Sequence, residues 1–208
     1  MLFRSQVSFL ETHPDVAILG TWAREIDADD VEGRIYRTPT EQVMILWRAC
    51  FANPFIHPTV VVRAGIFKAN KYNEAFNKSQ DFELWSRLLF QEKIGAANLP
   101  EELLRYRRHA SSLTKNKKLA ELERSARIPL ANIATFYKLT PTEESLFIRA
   151  YTNQRLSITD LWARVCLSSA IKRAFLKVYP EARGKLNWAV WRDRWFFAKY
   201  GLKQFIRG

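Results

Sequence analysis

Val16-Ala17-Ile18-Leu19-Gly20-Thr21-Trp22-Ala23-Arg24-Glu25-Ile26 decides the fold: rich in β-branched and aromatic residues, it reads as a strand. Asp29, Asp30 and Gly33 follow with turn chemistry before Arg34-Ile35-Tyr36, so a hairpin is expected. Thr38-Pro39-Thr40-Glu41 then combines an N-cap threonine, a first-turn proline and a glutamate three residues on. A helix is expected from there to about Phe51, with Val43, Leu46, Trp47 and Cys50 as its apolar face. Asn53-Pro54 ends it, and Thr59-Val60-Val61-Val62 is a β-branched run suited to a buried strand. Phe82, Trp85, Leu88 and Leu89 recur at helical spacing, which places a helix from about Asp81 to Gln91. Leu99 to Arg107 reads as a further short strand. The fold class is therefore mixed α/β, a sheet with flanking helices.

From Lys115 onward the patterning is entirely helical, with breaks expected at Pro129, at Thr140-Pro141 and near Pro180. Thr140-Pro141-Thr142-Glu143 repeats the capping signal, and Ser157-Ile158-Thr159-Asp160 is a weaker version. Residues 1–114 and 115–208 are thus expected to differ, the first a mixed α/β domain and the second a basic α-helical C-terminal region. Trp188, Trp191, Trp195, Ala198, Leu202 and Phe205 form one apolar stripe flanked by Arg192, Lys199 and Lys203. Two readings of residues 186–208 stand: packing on the preceding helices, or an interfacial helix on an anionic membrane surface.

The chain has 208 residues and 48% hydrophobic content, enough to fill a core and too much for a disordered chain. Its longest stretch without a charged residue, Ala49 to Val62, is broken by Pro54 and Pro58 and is too short to span a bilayer. The amino terminus has no apolar core of the kind a secretory signal needs, and the only cysteines are Cys50 and Cys166. A reducing, cytoplasmic compartment is the expectation, without disulfides or a cysteine zinc site. Residues 1–150 hold 21 basic and 18 acidic side chains, whereas residues 151–208 hold 12 and 3, so most of the +12 formal charge sits in the last quarter of the chain. That field favours an anionic partner, and no helix-turn-helix or RNA-binding signature makes nucleic acid the expected one.

Four consecutive segments carry a resemblance. They are Gln6-Val7-Ser8-Phe9-Leu10-Glu11 with His13-Pro14-Asp15-Val16, Asn53-Pro54-Phe55-Ile56-His57-Pro58-Thr59-Val60, Ser79-Gln80-Asp81-Phe82-Glu83-Leu84-Trp85, and Asn98-Leu99-Pro100-Glu101 with Tyr106-Arg107-Arg108-His109-Ala110-Ser111-Ser112. In this order they resemble the acceptor-side half of family 2 glycosyltransferases, inverting enzymes of the GT-A fold. The resemblance covers about residues 4 to 114. It implies a truncated GT-A-like sheet, a nucleotide-sugar donor, a glycan or lipid-linked acceptor and a divalent cation, manganese or magnesium. The family's amino-terminal nucleotide-binding half and its metal-binding Asp-x-Asp have no counterpart. A fragment with little activity of its own is therefore expected, a truncated product, a remnant or one piece of a split enzyme that a complementing chain would complete; the alternative is a non-catalytic module that binds a membrane surface or polyanion through the basic aromatic tail. A peripheral position at the inner face of the cell membrane is the associated expectation.

Inverting transfer needs a base to take the acceptor hydroxyl's proton, and the resemblance implies Asp81 in that role. A carboxylate in the first turn of a helix suits it, and the helix dipole favours its ionised form. Read alone, Asp81 is better explained as an N-terminal helix cap. The same resemblance implies His57, Gln80, Trp85 and Arg107 around the substrate and His109 near metal or diphosphate. Read alone, His57 is a satisfied core or strand-end histidine, His109 an exposed loop histidine and Arg107 a solvated strand-end cation. Asp27-Ala28-Asp29-Asp30 mimics Asp-x-Asp but follows a strand and precedes Gly33, so turn chemistry explains it. Where the family has glycines before Tyr72-Asn73-Glu74, this sequence has Asn70-Lys71.

Overall fold

The computed structural model describes residues 2–107 and 119–186. The chain divides into two compact units, residues 1–117 and 118–208. By sequence the first carries 16 basic and 14 acidic side chains and the second 17 and 7, so the charge excess belongs to the second.

The first unit is a four-stranded mixed sheet flanked by helices. α1 (Leu2–Thr12) leads into β1 (Val16–Ile26), the strand expected at those residues. β4 (Gly95–Arg107) runs parallel to β1 along its whole length. The opposite edge of β1 is shared antiparallel by β2 (Glu32–Tyr36) beside its second half and β3 (Val61–Val62) beside its first. The first six residues of β1 are all buried, so both faces of the strand are covered.

One face carries α1. Leu10 packs with Val16, Leu19 and Leu99, and Phe9, Val61, Ala97 and Leu103 close the cluster. Gln6 is fully buried on the same helix, and its Nε2 donates to the carbonyls of Leu19 at 3.2 Å and Thr59 at 2.7 Å. On β4, Asn98 lies between Ala97 and Leu99 and points the other way. Its Nδ2 donates to the Pro39 and Pro54 carbonyls at 2.6 and 3.3 Å, and its backbone N–H to Thr40 O. α2 (Gln42–Ala49) is fastened on that side by Gln42, whose Oε1 accepts from Ala96 N at 2.6 Å. α4 (Gln80–Phe90) packs on α2 and buries Phe82, Leu84, Trp85, Leu88 and Leu89. Between them the short α3 (Ala64–Ala69) follows β3.

Two local features set the register of β4. Pro100 has no N–H to give, and the ladder slips there, from Thr21 opposite Leu99 to Trp22 opposite Glu102. Gly95 is opposite Val16, and a Cβ on it would stand 2.0 Å from the Asp15 carbonyl oxygen.

Several sequence expectations are corrected. The capping box at Thr38 does not form: α2 starts after Glu41, which caps it without a side-chain bond. The reason is tertiary, since the Thr38 carbonyl accepts from Trp22 Nε1 at 2.9 Å while Asn98 takes the carbonyls of Pro39 and Thr40. The run Thr59 to Val62 yields only a two-residue, half-buried β3, because His57–Thr59 form a 3-10 turn around Pro58. β4 begins at Gly95, four residues before the expected Leu99.

The described part of the second unit is helical: α5 (Leu119–Ala134), α6 (Pro141–Tyr151) and α7 (Ile158–Val178). Pro129 does not break α5 as expected. It is buried with Ala126, Ile128 and Ile133, and their packing outweighs its missing helical hydrogen bond. Both later capping boxes form, Thr140 with Glu143 and Ser157 with Asp160. Asp160 also binds Arg149 bidentately at 2.9 and 2.8 Å, joining α7 to α6. α7 buries Leu167, Ile171 and Phe175, and the Phe175 ring meets Phe136 edge-on at 5.4 Å. The tryptophan stripe from Trp188 lies outside the described residues. No described helix is long and apolar enough to cross a membrane.

Gly95→Ala is expected to cost about 2 to 3 kcal/mol, the scale of overpacking against backbone that cannot yield, measured by chemical denaturation. The second unit should lose stability in acid. The Arg149 guanidinium, with the Ser157 backbone N–H, holds the Asp160 carboxyl below the usual aspartate range. Its contribution is therefore full above the ordinary aspartate pKa and lost as pH falls toward the depressed one. Melting curves across that acid range should flatten in Asp160→Asn.

Candidate functional site

The N-terminus of α4 meets the segment between α2 and β3, and several sequence-predicted residues come together there. Ser79 is the N-cap of α4, so Asp81 is the second helical residue and not the cap. Asp81 is half-buried, and its Oδ2 accepts from Asn53 Nδ2 at 2.8 Å. The orientation of Asn53 is fixed from its other end. Its Oδ1 accepts the backbone N–H of Phe55 at 3.1 Å, which leaves the amide NH2 to face the carboxylate.

Trp85 stands one turn after Asp81 and is 2% exposed. Phe55 meets its ring edge-on at 6.0 Å, and the His57 ring lies 6.5 Å away. The Trp85 Nε1 is buried with no hydrogen-bond partner. His57 is exposed at the start of the 3-10 turn, which corrects its reading as a buried core histidine. Pro58 turns the chain there, so Thr59 goes inward in its place: Thr59 is 1% exposed, and its hydroxyl accepts from Thr21 N and donates to Ile56 O. Gln80 opens α4 beside Asp81 and is half-buried.

Tyr72 belongs to the same place. Burial, and then the negative charge of Asp81, push its phenol above the ordinary value, so at neutral pH it is a hydroxyl. The segment before it is anchored by Arg87, which donates to Asn70 Oδ1 and Lys71 O, both at 2.8 Å, and pairs with Glu83. Asn70 in turn donates to Glu92 Oε2 at 3.1 Å. The residues that replace glycines here thus fasten the loop to α4.

Arg107 is committed elsewhere. At the far end of β4 its guanidinium donates to the Asp27 and Ala28 carbonyls and pairs with Asp30. The hairpin turn it holds is also closed from within, by Asp27 Oδ1 accepting from Asp29 N and Val31 N, both at 2.9 Å. Asp30 takes the left-handed conformation there, φ 64°. Arg107 is therefore held at the hairpin turn and not brought to Asp81, and its guanidinium, partly exposed at the strand end, fits the plainer reading of a solvated cation. His109 lies outside the described residues. Among the described residues no three His, Cys, Asp or Glu side chains gather as a cation site. By themselves they do not make up a site for the divalent cation that the family resemblance implies.

Sequence reasoning missed Asn53 and Tyr72 as site residues. Asn53-Pro54 carried a helix-stop signal that accounted for it fully, and nothing in the pattern near Tyr72 reports the nearby carboxylate.

Comparison with known proteins agrees in kind with the family resemblance. The chain is 32% identical over 123 residues to the amylovoran biosynthesis glycosyltransferase AmsE of Erwinia amylovora, covering 55% of this chain and 42% of that protein. It is 25% identical over 142 residues to an uncharacterized glycosyltransferase of Haemophilus influenzae, covering 63% of this chain and 43% of that protein. The chain thus spans less than half the length of either relative. No family model and no solved structure matches it.

Asn53→Ala should cost about 1 to 2 kcal/mol in denaturant unfolding, since it strands the Phe55 N–H and one Asp81 oxygen. Asn53→Asp should cost more near neutral pH than in mild acid, because two facing carboxylates cannot both ionise cheaply. Equal costs at both pH values would contradict the pairing.

Proposed function

We propose that this chain is the acceptor-side part of an inverting glycosyltransferase of family 2 and the GT-A fold. It would move a sugar from a nucleotide-sugar to a hydroxyl of a glycan or lipid-linked acceptor, in polysaccharide biosynthesis. The likeness to two proteins named glycosyltransferases supports the reaction class. The observation that carries the site is the Asn53–Asp81 pair, a half-buried carboxylate held by one oxygen.

In this reading Asp81 is the base. Asn53 occupies Oδ2, and Oδ1 takes the proton of the acceptor hydroxyl as that oxygen attacks the anomeric carbon and the nucleotide diphosphate leaves. The Tyr72 hydroxyl and the exposed His57 ring supply polar groups for the acceptor sugar and Gln80 a further amide, with Trp85 buried behind them as support. The donor pocket belongs to a portion supplied by the same gene or by a complementing chain, with a divalent cation and His109 as parts of that proposal.

The test is Asp81→Asn in an enzyme completed with a nucleotide-binding portion, fused or added as a second chain. Transfer from a panel of nucleotide-sugars should fall about 10²- to 10⁴-fold, the usual share of a general base, with the fold retained by circular dichroism. Unchanged turnover would remove Asp81 from the mechanism.

A further inference from the structure

α7 presents a face that nothing in the described part of its own unit covers. Ile158, Trp162 and Val165 stand at i, i+4 and i+7 and are 69%, 71% and 41% exposed. The opposite face is buried through Leu167, Ile171 and Phe175. A tryptophan left mostly bare next to a bare isoleucine is a substantial apolar exposure for one helix. Further along the helix Arg173 and Lys177, both exposed, flank that stripe on one side, rotated from it by about 55° and 95° at 3.6 residues per turn. The one acidic residue of α7 is Asp160, which lies around the helix from Trp162 and is occupied by Arg149.

The arrangement is therefore an apolar stripe near one end of α7 with cations at its flank near the other, and Asp160, the one acid of the helix, is turned away from it. We propose that this face of α7 lies on an anionic lipid surface, with Ile158, Trp162 and Val165 in the headgroup and acyl boundary and Arg173 and Lys177 on the headgroup charges. Charge decides against a second copy of the chain as occupant. Two such helices packed in parallel set cation against cation, and packed antiparallel they bury Arg173 and Lys177 over the apolar end of the partner. An anionic membrane satisfies both ends at once, and tryptophan suits the boundary between water and lipid. The inference is independent of the glycosyl-transfer reading, and it concerns α7, not residues 186–208.

Cys166 supplies the probe. It is exposed beside Val165, whereas Cys50 is fully buried and its thiol is pushed well up by burial, so a solvatochromic maleimide labels Cys166 alone. The labelled full chain is mixed with vesicles of phosphatidylcholine, pure or containing phosphatidylglycerol. A blue shift and flotation with the anionic vesicles are expected, with weaker binding to the neutral ones. Ile158→Glu with Trp162→Glu should weaken flotation about tenfold or more, and Arg173→Glu with Lys177→Glu should erase the preference for phosphatidylglycerol. The proposal is overturned by an unshifted dye, by equal binding to both vesicles, or by variants that float like the parent. It is equally overturned if sedimentation shows a dimer that Trp162→Glu dissolves. The dye signal on the parent chain needs no substitution at the face, so a variant that misfolds leaves the question decidable.

Discussion

Among the described residues, every strand of the sheet hydrogen-bonds to β1 and none bonds to another. The first unit therefore depends on one strand having both edges and both faces occupied. That constraint explains the composition of Val16 to Thr21, buried without interruption, and the close approach at Gly95 that lets β4 start flush with β1. It also explains why polar residues are buried on either side. Strand ends and turns around β1 leave carbonyls unpaired, and the Gln6 and Asn98 side chains reach in to serve them.

The same anchors position the site. Thr59 is held to β1 by its bonds with Thr21 and to α1 by Gln6, so the 3-10 turn that presents His57 is tied to the core at its last residue. Asn98 holds the carbonyl of Pro54, which fixes the segment that carries Asn53. Asp81 arrives from α4, whose buried face locks the helix, and Arg87 ties the Tyr72 loop to that helix. A carboxylate supported this way has little freedom to reorient, and the proposed role of Asp81 as a base depends on that rigidity.

The elements with strong local signals were legible in the sequence. β1 matches at both ends, α4 nearly so, and the boxes at Thr140 and Ser157 form because their partners, Glu143 and Asp160, lie within the same local window. Thr38 shows why an equal local signal fails. Its carbonyl and those of its two successors are claimed by Trp22 and Asn98, residues 16 and about 60 positions away in sequence, and no window of local pattern registers such partners. The site shows the same limit. Asp81, Gln80, Trp85 and His57 were nameable from segments, but the bond from Asn53 spans 28 residues and exists only in the fold. Arg107 was misplaced for the converse reason, since the hairpin that engages it lies about 80 residues earlier.

The two units also divide the electrostatics. The first is nearly balanced, and many of its charges are spent internally, as in Arg24 with Glu102, Arg87 with Glu83 and Arg107 with Asp30. The second holds 17 cations against 7 acids, and two of those acids are engaged locally, Glu143 in the cap of α6 and Asp160 with Arg149. A unit built this way does not need a deep pocket to have a partner. Its apolar and cationic groups on α7 suit an extended anionic surface, while a carboxylate fixed by an asparagine in the first unit suits a single hydroxyl.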